Sequence, residues 1–144
     1  MYFDTSYIAK FYLNEPESER VRGLAKTAHG ICSSQWAIAE FHAVLHRQLR
    51  EGFLSKKDVR SVAAAFEAHV GLKFWVLAPV REGLLREMGA SLIAAPSDLY
   101  LRAADAVHLA TAKEMGEAEV WTNDRHMLKA CEYFGLRGRS VTSA

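Results

Sequence analysis

The chain has 144 residues, half of them hydrophobic, with 18 Lys and Arg against 17 Asp and Glu and a formal net charge of +1. This length predicts a single domain spanning residues 1–144 with a real hydrophobic core, and the composition excludes a disordered chain. A net charge near zero excludes bulk electrostatic attraction to nucleic acid, so any such contact must come from local patches or from metal ions.

Three features of the sequence bear on where the protein works. Cys32 and Cys131 both lie among apolar residues, which is typical of reduced thiols in a cytosolic protein rather than of a disulfide. The opening residues, MYFDTS, resemble neither a signal peptide nor a basic amphipathic leader. No apolar run approaches the roughly 20 residues that a membrane-spanning helix needs. We therefore expect a cytoplasmic protein with no membrane partner.

Short apolar runs alternate with segments of helical periodicity along the whole chain. In the first third of the chain, the predicted elements are a strand at 1–3, a helix with candidate N-caps Thr5 and Ser6, a helix opened by Pro16 and ended by Gly30, a strand at 31–33 and a helix at about 35–51. A helix capped by Ser55, a strand at 74–78 and helices at about 81–93 and 101–112 follow. The last predicted elements are a strand at 120–121, a helix at about 125–134 and a possible edge strand at 140–142. This alternation predicts an α/β fold in which helices cover both faces of a parallel sheet.

The segment 101–112, LRAADAVHLATA, predicts a buried helix, because it is rich in alanine and lacks glycine and proline. Asp105 and His108 share one face of this helix with Leu109 and Ala112. A buried carboxylate is rare unless it is paired or bound to a metal. An aspartate in the first turn is also favoured by the helix dipole alone, so this segment leaves both interpretations of Asp105 open.

Three further acids stand where they could converge on Asp105. Asp4 and Asp124 each follow a short predicted strand, and Glu40 lies on the inner face of a predicted helix. The carboxyl ends of parallel strands meet at one edge of a sheet, which is where ligands bind. At about 5 Å, each pair of carboxylates repels by roughly 3 kcal/mol, so such a cluster needs a cation. Oxygen ligands favour Mg²⁺ or Mn²⁺ over zinc.

The chain resembles the PIN-domain ribonucleases, and most closely the VapC-type toxins of bacterial toxin–antitoxin pairs. The resemblance covers nearly the whole chain and is carried by the blocks YFDTSYIAKFY, SSQWAIAEFHAVLHR, LRAADAVHLATA, and VWTNDRHM with GLRGRSV. It implies a three-layer α/β/α fold with a short parallel central sheet. It also implies a metal-dependent endoribonuclease, in which a metal-activated water cleaves RNA to leave a 5′-phosphate and a 3′-hydroxyl.

The resemblance also assigns the site residues. Asp4, Glu40 and Asp105 match the three acids that hold Mg²⁺ or Mn²⁺ in the family, and Asp124 matches a fourth acid that is less uniform there. These four acids are the predicted catalytic residues and metal ligands. The groups expected to support them through hydrogen bonds are Thr5, Ser6, Thr122 and Asn123, of which Asn123 is placed only by its position in the same corner.

The partners follow from the same resemblance. They are an RNA substrate, a cognate antitoxin encoded beside the toxin, and a second copy of the chain in a homodimer. The tail of the antitoxin would lie in a groove made by the early helices and block the acids. Tyr7, Phe11 and Tyr12 are candidates to line that groove, and core packing is an equally good interpretation of the three.

Other interpretations stay open at this stage. One alternative is a phosphatase of the haloacid-dehalogenase type with Asp4 as nucleophile, although that chemistry wants an aspartate where Ser6 stands. Another is a non-catalytic PIN-like binding module. Arg102 could bind RNA phosphate or pair with an acid, whereas His108 is interpreted as a structural histidine. The three tryptophans are interpreted as core residues: Trp36, Trp75 and Trp121.

Overall fold

A five-stranded parallel sheet lies at the centre of the computed structural model, which describes residues 1–142. The strands are β1 (Tyr2–Phe3), β2 (Ile31–Ser34), β3 (Trp75–Ala78), β4 (Glu119–Trp121) and β5 (Arg137–Arg139). Their order across the sheet is β3-β2-β1-β4-β5, and every neighbouring pair is parallel. The chain builds the sheet from β1 outward on one side with β2 and β3, and then on the other side with β4 and β5. At this switch in strand order a crevice forms beyond the carboxyl ends of β1 and β4, where open α/β sheets bind ligands.

Helices connect the strands and cover both faces of the sheet. They are α1 (Thr5–Tyr12), α2 (Ser18–Thr27), α3 (Trp36–Arg50), α4 (Lys56–Gly71), α5 (Glu82–Ala94), α6 (Ala103–Glu114) and α7 (Arg125–Ala130), with a 3₁₀ turn at Glu132–Phe134. Adjacent residues of β1 point to opposite faces, so Tyr2 packs with Leu109 on one side and Phe3 packs with Phe41 on the other. The predicted three-layer α/β/α arrangement is therefore confirmed.

The helix α6 is buried over its central part, as the alanine-rich segment predicts. Every residue from Asp105 to Ala112 is buried, and the helix packs against α5 and β2. Alanine at 106, 110 and 112 leaves room for this close approach, because it adds little side-chain volume between the helix and the sheet. The burial brings Asp105 and His108 against the sheet instead of into bulk solvent.

Two sequence predictions about the edges of the fold are wrong. The edge strand lies at Arg137–Arg139 and not at 140–142. The sequence did not predict this strand, because its two arginines do not alternate with apolar residues. The segment is a strand because it pairs with β4 through backbone hydrogen bonds. Trp36 is not a core residue, because its side chain is 42% exposed. It flanks the buried stripe of α3, which runs along Ala37, Phe41 and Leu45.

Three smaller observations concern the start of α2, the two cysteines and the length of the helices. The second helix begins at Ser18 instead of next to Pro16, because Glu17 takes a left-handed conformation as its N-cap. Cys32 and Cys131 are buried free thiols, as expected, and burial raises the pKa of each, to about 12 and about 11 respectively. Over residues 1–142, every helix is too short or too polar to cross a lipid bilayer.

Candidate active site

A pocket of about 430 Å³ opens at the carboxyl ends of β1 and β4. Its walls come from α1, α3, α6 and the corner between β4 and α7. All four acids singled out in the sequence line it, and so do a fifth acid, Glu15, and three further basic or titratable side chains: Arg47, Arg102 and His108. The pocket therefore gathers residues from positions 4 to 127 of the chain around one volume.

Asp4 stands at the junction of β1 and α1 and is the N-cap of that helix, a role that the sequence assigned to Thr5 or Ser6. Its Oδ1 accepts hydrogen bonds from the Tyr7 amide at 2.9 Å and the Ser6 hydroxyl at 2.7 Å, and its Oδ2 accepts one from Thr122 at 2.6 Å. Burial raises the pKa of Asp4, although these hydrogen bonds oppose the effect. The carboxyl group is thus held in place but destabilised as an anion.

Asp124 occupies the equivalent position after β4, as the N-cap of α7. Its Oδ1 accepts from the amides of His126 at 2.8 Å and Met127 at 3.2 Å. Partial burial raises its pKa, but the two amides and Arg102 outweigh burial and hold the pKa of Asp124 below its usual value. Thr122 couples the two capping acids, because its hydroxyl accepts from the Asp124 amide at 3.0 Å while donating to Asp4.

Arg102 bridges Asp105 and Asp124. It precedes α6, and its Nε donates to Asp105 Oδ2 at 2.7 Å, while its Nη2 donates to Asp105 Oδ1 at 3.2 Å and to Asp124 Oδ2 at 2.5 Å. The hydrogen bonds to Asp105, and then its charge, raise the pKa of the guanidinium. Of the two interpretations that the sequence left open, the structure has Arg102 paired with acids.

Glu40 reaches the pocket from the amino-terminal third of α3. Its Oε2 accepts from the Thr5 hydroxyl at 2.5 Å and lies 2.8 Å from His108 Nε2. Partial burial raises its pKa, but His108 and then Thr5 outweigh burial and hold the pKa of Glu40 below its ordinary value. His108 is buried, as a structural histidine would be, yet it touches a site acid. The sequence indicated that His108 faces the site, since it lies one helical turn after Asp105, but it did not indicate the contact with Glu40.

The four predicted supporting residues divide into two groups. Thr5, Ser6 and Thr122 each donate a hydrogen bond to one of the acids. Asn123 does not, because its Oδ1 accepts from the hydroxyls of Tyr7 at 2.9 Å and Ser140 at 2.6 Å. Asn123 instead ties the corner that carries Asp124 to α1 and to the end of the chain.

The donor chemistry of the pocket suits a hard divalent cation. Carboxylate oxygens predominate, neither free thiol lines the pocket, and the single imidazole is already engaged. Across the described part of the chain, however, no three His, Cys, Asp or Glu side chains already stand in an arrangement that could hold a metal ion. The acids are turned toward internal donors, above all toward Arg102. The residues therefore fit Mg²⁺ or Mn²⁺ by their chemistry, with side-chain reorientation needed to bind it.

Comparisons with known proteins identify the family of the chain. The sequence model described as the PIN domain matches residues 1–133. Over 138 residues the chain is 31% identical to Ribonuclease VapC46 of Mycobacterium tuberculosis, a match that covers 94% of this chain and 93% of that protein.

Solved structures share the fold. VapC20 of Mycobacterium tuberculosis, described as a toxin that cleaves the sarcin–ricin loop, superposes with a TM-score of 0.71 at 14% identity, covering 94% of this chain and 98% of that chain. FitAB bound to an IR36 DNA fragment gives 0.66 at 17% identity, covering 96% and 93%. FitAcB from Neisseria gonorrhoeae gives 0.64 at 16% identity, covering 95% and 94%.

Proposed function

Because this chain belongs to the PIN domain family, and within it to the VapC-type ribonucleases, we propose that it is a divalent-metal-dependent endoribonuclease and the toxin of a toxin–antitoxin pair. The observation that carries this proposal is the meeting of four carboxylates from four distant parts of the chain in one open pocket. Such a cluster is unfavourable by itself, since like charges gathered in one pocket repel. A site that accumulates this charge is suited to a divalent cation and a phosphate substrate.

In this proposal Asp4, Glu40, Asp105 and Asp124 hold Mg²⁺ or Mn²⁺. Such an ion, when bound by these acids, would supply a polarised water and would offset the negative charge that develops on the phosphate. Thr122 and Thr5 keep Asp4 and Glu40 oriented through the hydrogen bonds described above. Support from groups around the acids is what fixes ligand geometry in such sites.

In the proposed reaction a water molecule, and not a side chain of the pocket, attacks the phosphate. Asp4, the most buried of the four acids, is already bonded to three donors. His108 is the one histidine that lines the pocket among residues 1–142, and both of its ring nitrogens are engaged. A mechanism that uses two histidines and the ribose 2′-hydroxyl therefore lacks its groups here. Attack by water with the 3′ oxygen departing gives the 5′-phosphate and 3′-hydroxyl ends that we propose.

Two alternatives are weaker. In a phosphatase of the haloacid-dehalogenase type, Asp4 would need an acid two residues on, but Ser6 stands there and donates to Asp4. Membership of the PIN domain family also disfavours that phosphatase. A non-catalytic PIN-like module would not need four acids in the pocket, and a cleavage assay separates it from the nuclease.

The RNA would enter beside Arg47. This residue lines the pocket on the same face of α3 as Glu40, and its side chain is exposed. Within residues 1–142 no acid lies within ion-pair distance of Arg47, which leaves the guanidinium available for a phosphate. Since the net charge of the chain is only +1, such local contacts would have to position the substrate.

We also propose a cognate antitoxin, a homodimer and a cytoplasmic location, all from the toxin assignment. A second cavity, of about 520 Å³, lies between the end of α1 and the turn after α3 and suits the antitoxin tail. Its walls include Tyr12, Phe53 and Leu54. Of the other two candidates for this groove, Tyr7 is fully buried and belongs to the core, and Phe11 packs in an aromatic cluster against Trp75.

A cleavage assay on purified RNA tests the nuclease proposal. The protein should cut RNA with Mg²⁺ or Mn²⁺ present and should stop when EDTA is added. Sequencing the 5′ ends by direct adaptor ligation, which requires a 5′-phosphate, identifies both the chemistry and the target. Equal cutting by wild type and Asp105→Asn would indicate a contaminating nuclease and remove the support for the proposal.

A further inference from the structure

A buried histidine connects the acid of α3 to the first strand. His108 is only 3% exposed. Its Nδ1 lies 2.9 Å from the Tyr2 hydroxyl, and its Nε2 lies 2.8 Å from Glu40 Oε2 and 3.1 Å from the Thr5 hydroxyl. One imidazole therefore links β1, α1 and α3 to α6, on which Asp105 stands one turn earlier.

The partners determine the direction of these hydrogen bonds. The Glu40 carboxylate can only accept, so Nε2 of His108 carries a proton and donates it. Because Nε2 is the donor, Nδ1 is left to accept from the Tyr2 hydroxyl, its one hydrogen-bonding neighbour among residues 1–142. Glu40 thus sets the tautomer, and the Tyr2 hydroxyl, by donating to Nδ1, anchors the far side of the ring so that Nε2 stays aimed at Glu40. A hydrogen bond at the far nitrogen is the usual way in which proteins orient an imidazole.

We propose that Tyr2 and His108 are positioning residues that hold the Glu40 carboxylate in register with Asp105 for a divalent ion. This inference rests on the proposed function. The Glu40 side chain is long and 30% exposed, and its hydrogen-bond partners among the described residues are Thr5 and His108 alone. Without the imidazole, a single hydrogen bond from Thr5 is left to oppose rotation of the carboxylate toward solvent. The Tyr2 hydroxyl contacts neither acid directly and acts through the ring.

Calorimetric titration with Mn²⁺ measures the effect without relying on activity. We expect His108→Leu to weaken Mn²⁺ binding by roughly 10- to 100-fold, the usual cost of losing a group that orients a metal ligand. His108→Gln retains a donor and should recover part of that loss. Tyr2→Phe removes a single oxygen and should weaken binding by about threefold to tenfold, the equivalent of one hydrogen bond.

The chain contains a matched control for Tyr2→Phe. Tyr12 makes the same bond, from its hydroxyl to Nδ1 of His69 at 2.6 Å, in the aromatic cluster and away from the four acids. Tyr12→Phe should lower the melting temperature as much as Tyr2→Phe or more, because it also removes the acceptor of the Trp75 indole. It should leave the Mn²⁺ affinity of the chain, measured without antitoxin, unchanged, because Tyr12 lines the proposed antitoxin cavity and not the pocket of the four acids. Equal Mn²⁺ affinities in Tyr2→Phe and wild type would overturn the inference.

A double-mutant cycle shows whether Tyr2 acts through Glu40. Glu40→Gln by itself should weaken Mn²⁺ binding, and adding Tyr2→Phe to it should weaken binding no further. An equal loss from Tyr2→Phe in both backgrounds would mean that it acts by another route, against the inference. If wild type and Asp105→Asn bind Mn²⁺ equally, the metal site itself is refuted. Failure of the proposed function is thus distinguishable from failure of this inference.

Discussion

Arg102 binds both carboxylate oxygens of Asp105, through Nε at 2.7 Å and Nη2 at 3.2 Å, and the same Nη2 reaches Asp124. A guanidinium therefore stands between two of the four acids that we propose as metal ligands. It supplies the positive charge that the acids require, in the position where a metal ion would compete for the same oxygens.

We expect Arg102→Gln to strengthen Mn²⁺ binding, because the competing cation is removed. In EDTA the same variant should be less stable, since Asp105 and Asp124 then repel without compensation. That loss should be modest, about 0.2–1 kcal/mol, because the Arg102 side chain is 52% exposed. Calorimetry and thermal melts with and without Mn²⁺ measure both effects.

The exposed pair Arg86–Glu82 on α5 provides the control for this experiment. Arg86→Gln removes the same charge from the net total but lies outside the pocket, so its Mn²⁺ affinity should equal that of wild type. If Arg102→Gln binds Mn²⁺ no better than Arg86→Gln, Arg102 does not compete with the metal.

Asp105→Asn should abolish RNA cleavage and leave the fold intact. The amide keeps an acceptor for Arg102 and nearly the same volume, but it loses the charge that binds a divalent ion. Asp4→Asn should also abolish cleavage, at a greater cost in stability, because an amide cannot accept from all three donors that surround Asp4. Cleavage assays and circular dichroism separate the two effects.

Glu119→Gln is the matched acidic control for these two variants. Glu119 lies at the far end of β4 and pairs with Arg137 and Arg139. Its removal changes the net charge equally and should leave cleavage at the wild-type level. Full cleavage by Asp105→Asn in the same assay would contradict the proposed role of the acids.

Local signals explain which parts of the site could be predicted from the sequence. Asp4 and Asp124 each combine the end of a strand with the start of a helix, and both features are visible over a few residues. Asp105 was identifiable because its helix is alanine-rich and therefore buried. These positions depend on the parallel sheet, which the alternation of strands and helices predicted.

Long-range contacts explain what could not be predicted. The bond between Glu40 and His108 joins positions 68 residues apart, and no pattern within either helix specifies the partner. The bridge from Arg102 to Asp124 likewise spans 22 residues. The strand at Arg137–Arg139 depends on pairing with β4, since two arginines and a glycine have little strand preference by themselves.

Gly138→Ala should destabilise the protein. A Cβ atom at this position would lie 2.9 Å from Leu128 Cδ2 and 3.1 Å from Leu128 Cα, so β5 would have to move away from α7. Overpacking of this kind costs roughly 1–3 kcal/mol. Gly89→Ala, in the open middle of α5 with no atom within 4 Å of the new Cβ, should instead stabilise the protein by about 0.5–1 kcal/mol. Urea unfolding of both variants checks the opposite signs.

The ion pairs of Glu119 should make stability depend on acid pH. The hydrogen bond from Arg139 is the main cause that lowers the pKa of Glu119 from its ordinary value of 4.5. Stability from a lowered carboxyl pKa is fully present above that ordinary value and is lost as the pH falls through the lower, folded-state pKa. Near neutral pH we expect wild type to exceed Glu119→Gln by roughly 0.2–1 kcal/mol. Urea unfolding from pH 7 to pH 3 should show this gap closing, and a constant gap would exclude the linkage.

Phe53→Asp should prevent capture by the antitoxin without affecting RNA cleavage. Phe53 is 71% exposed at the rim of the apolar cavity between α1 and the turn after α3. A charge there opposes burial of an apolar tail, whereas the four acids lie in a neighbouring pocket, which shares Glu15 with this cavity but is not lined by Phe53. Co-expression with the protein encoded beside this gene, followed by co-purification, measures the loss.

Leu72→Asp is the matched control, because Leu72 is similarly exposed but lies at the end of α4 outside this cavity. Equal antitoxin binding by Phe53→Asp and Leu72→Asp would place the antitoxin on another surface.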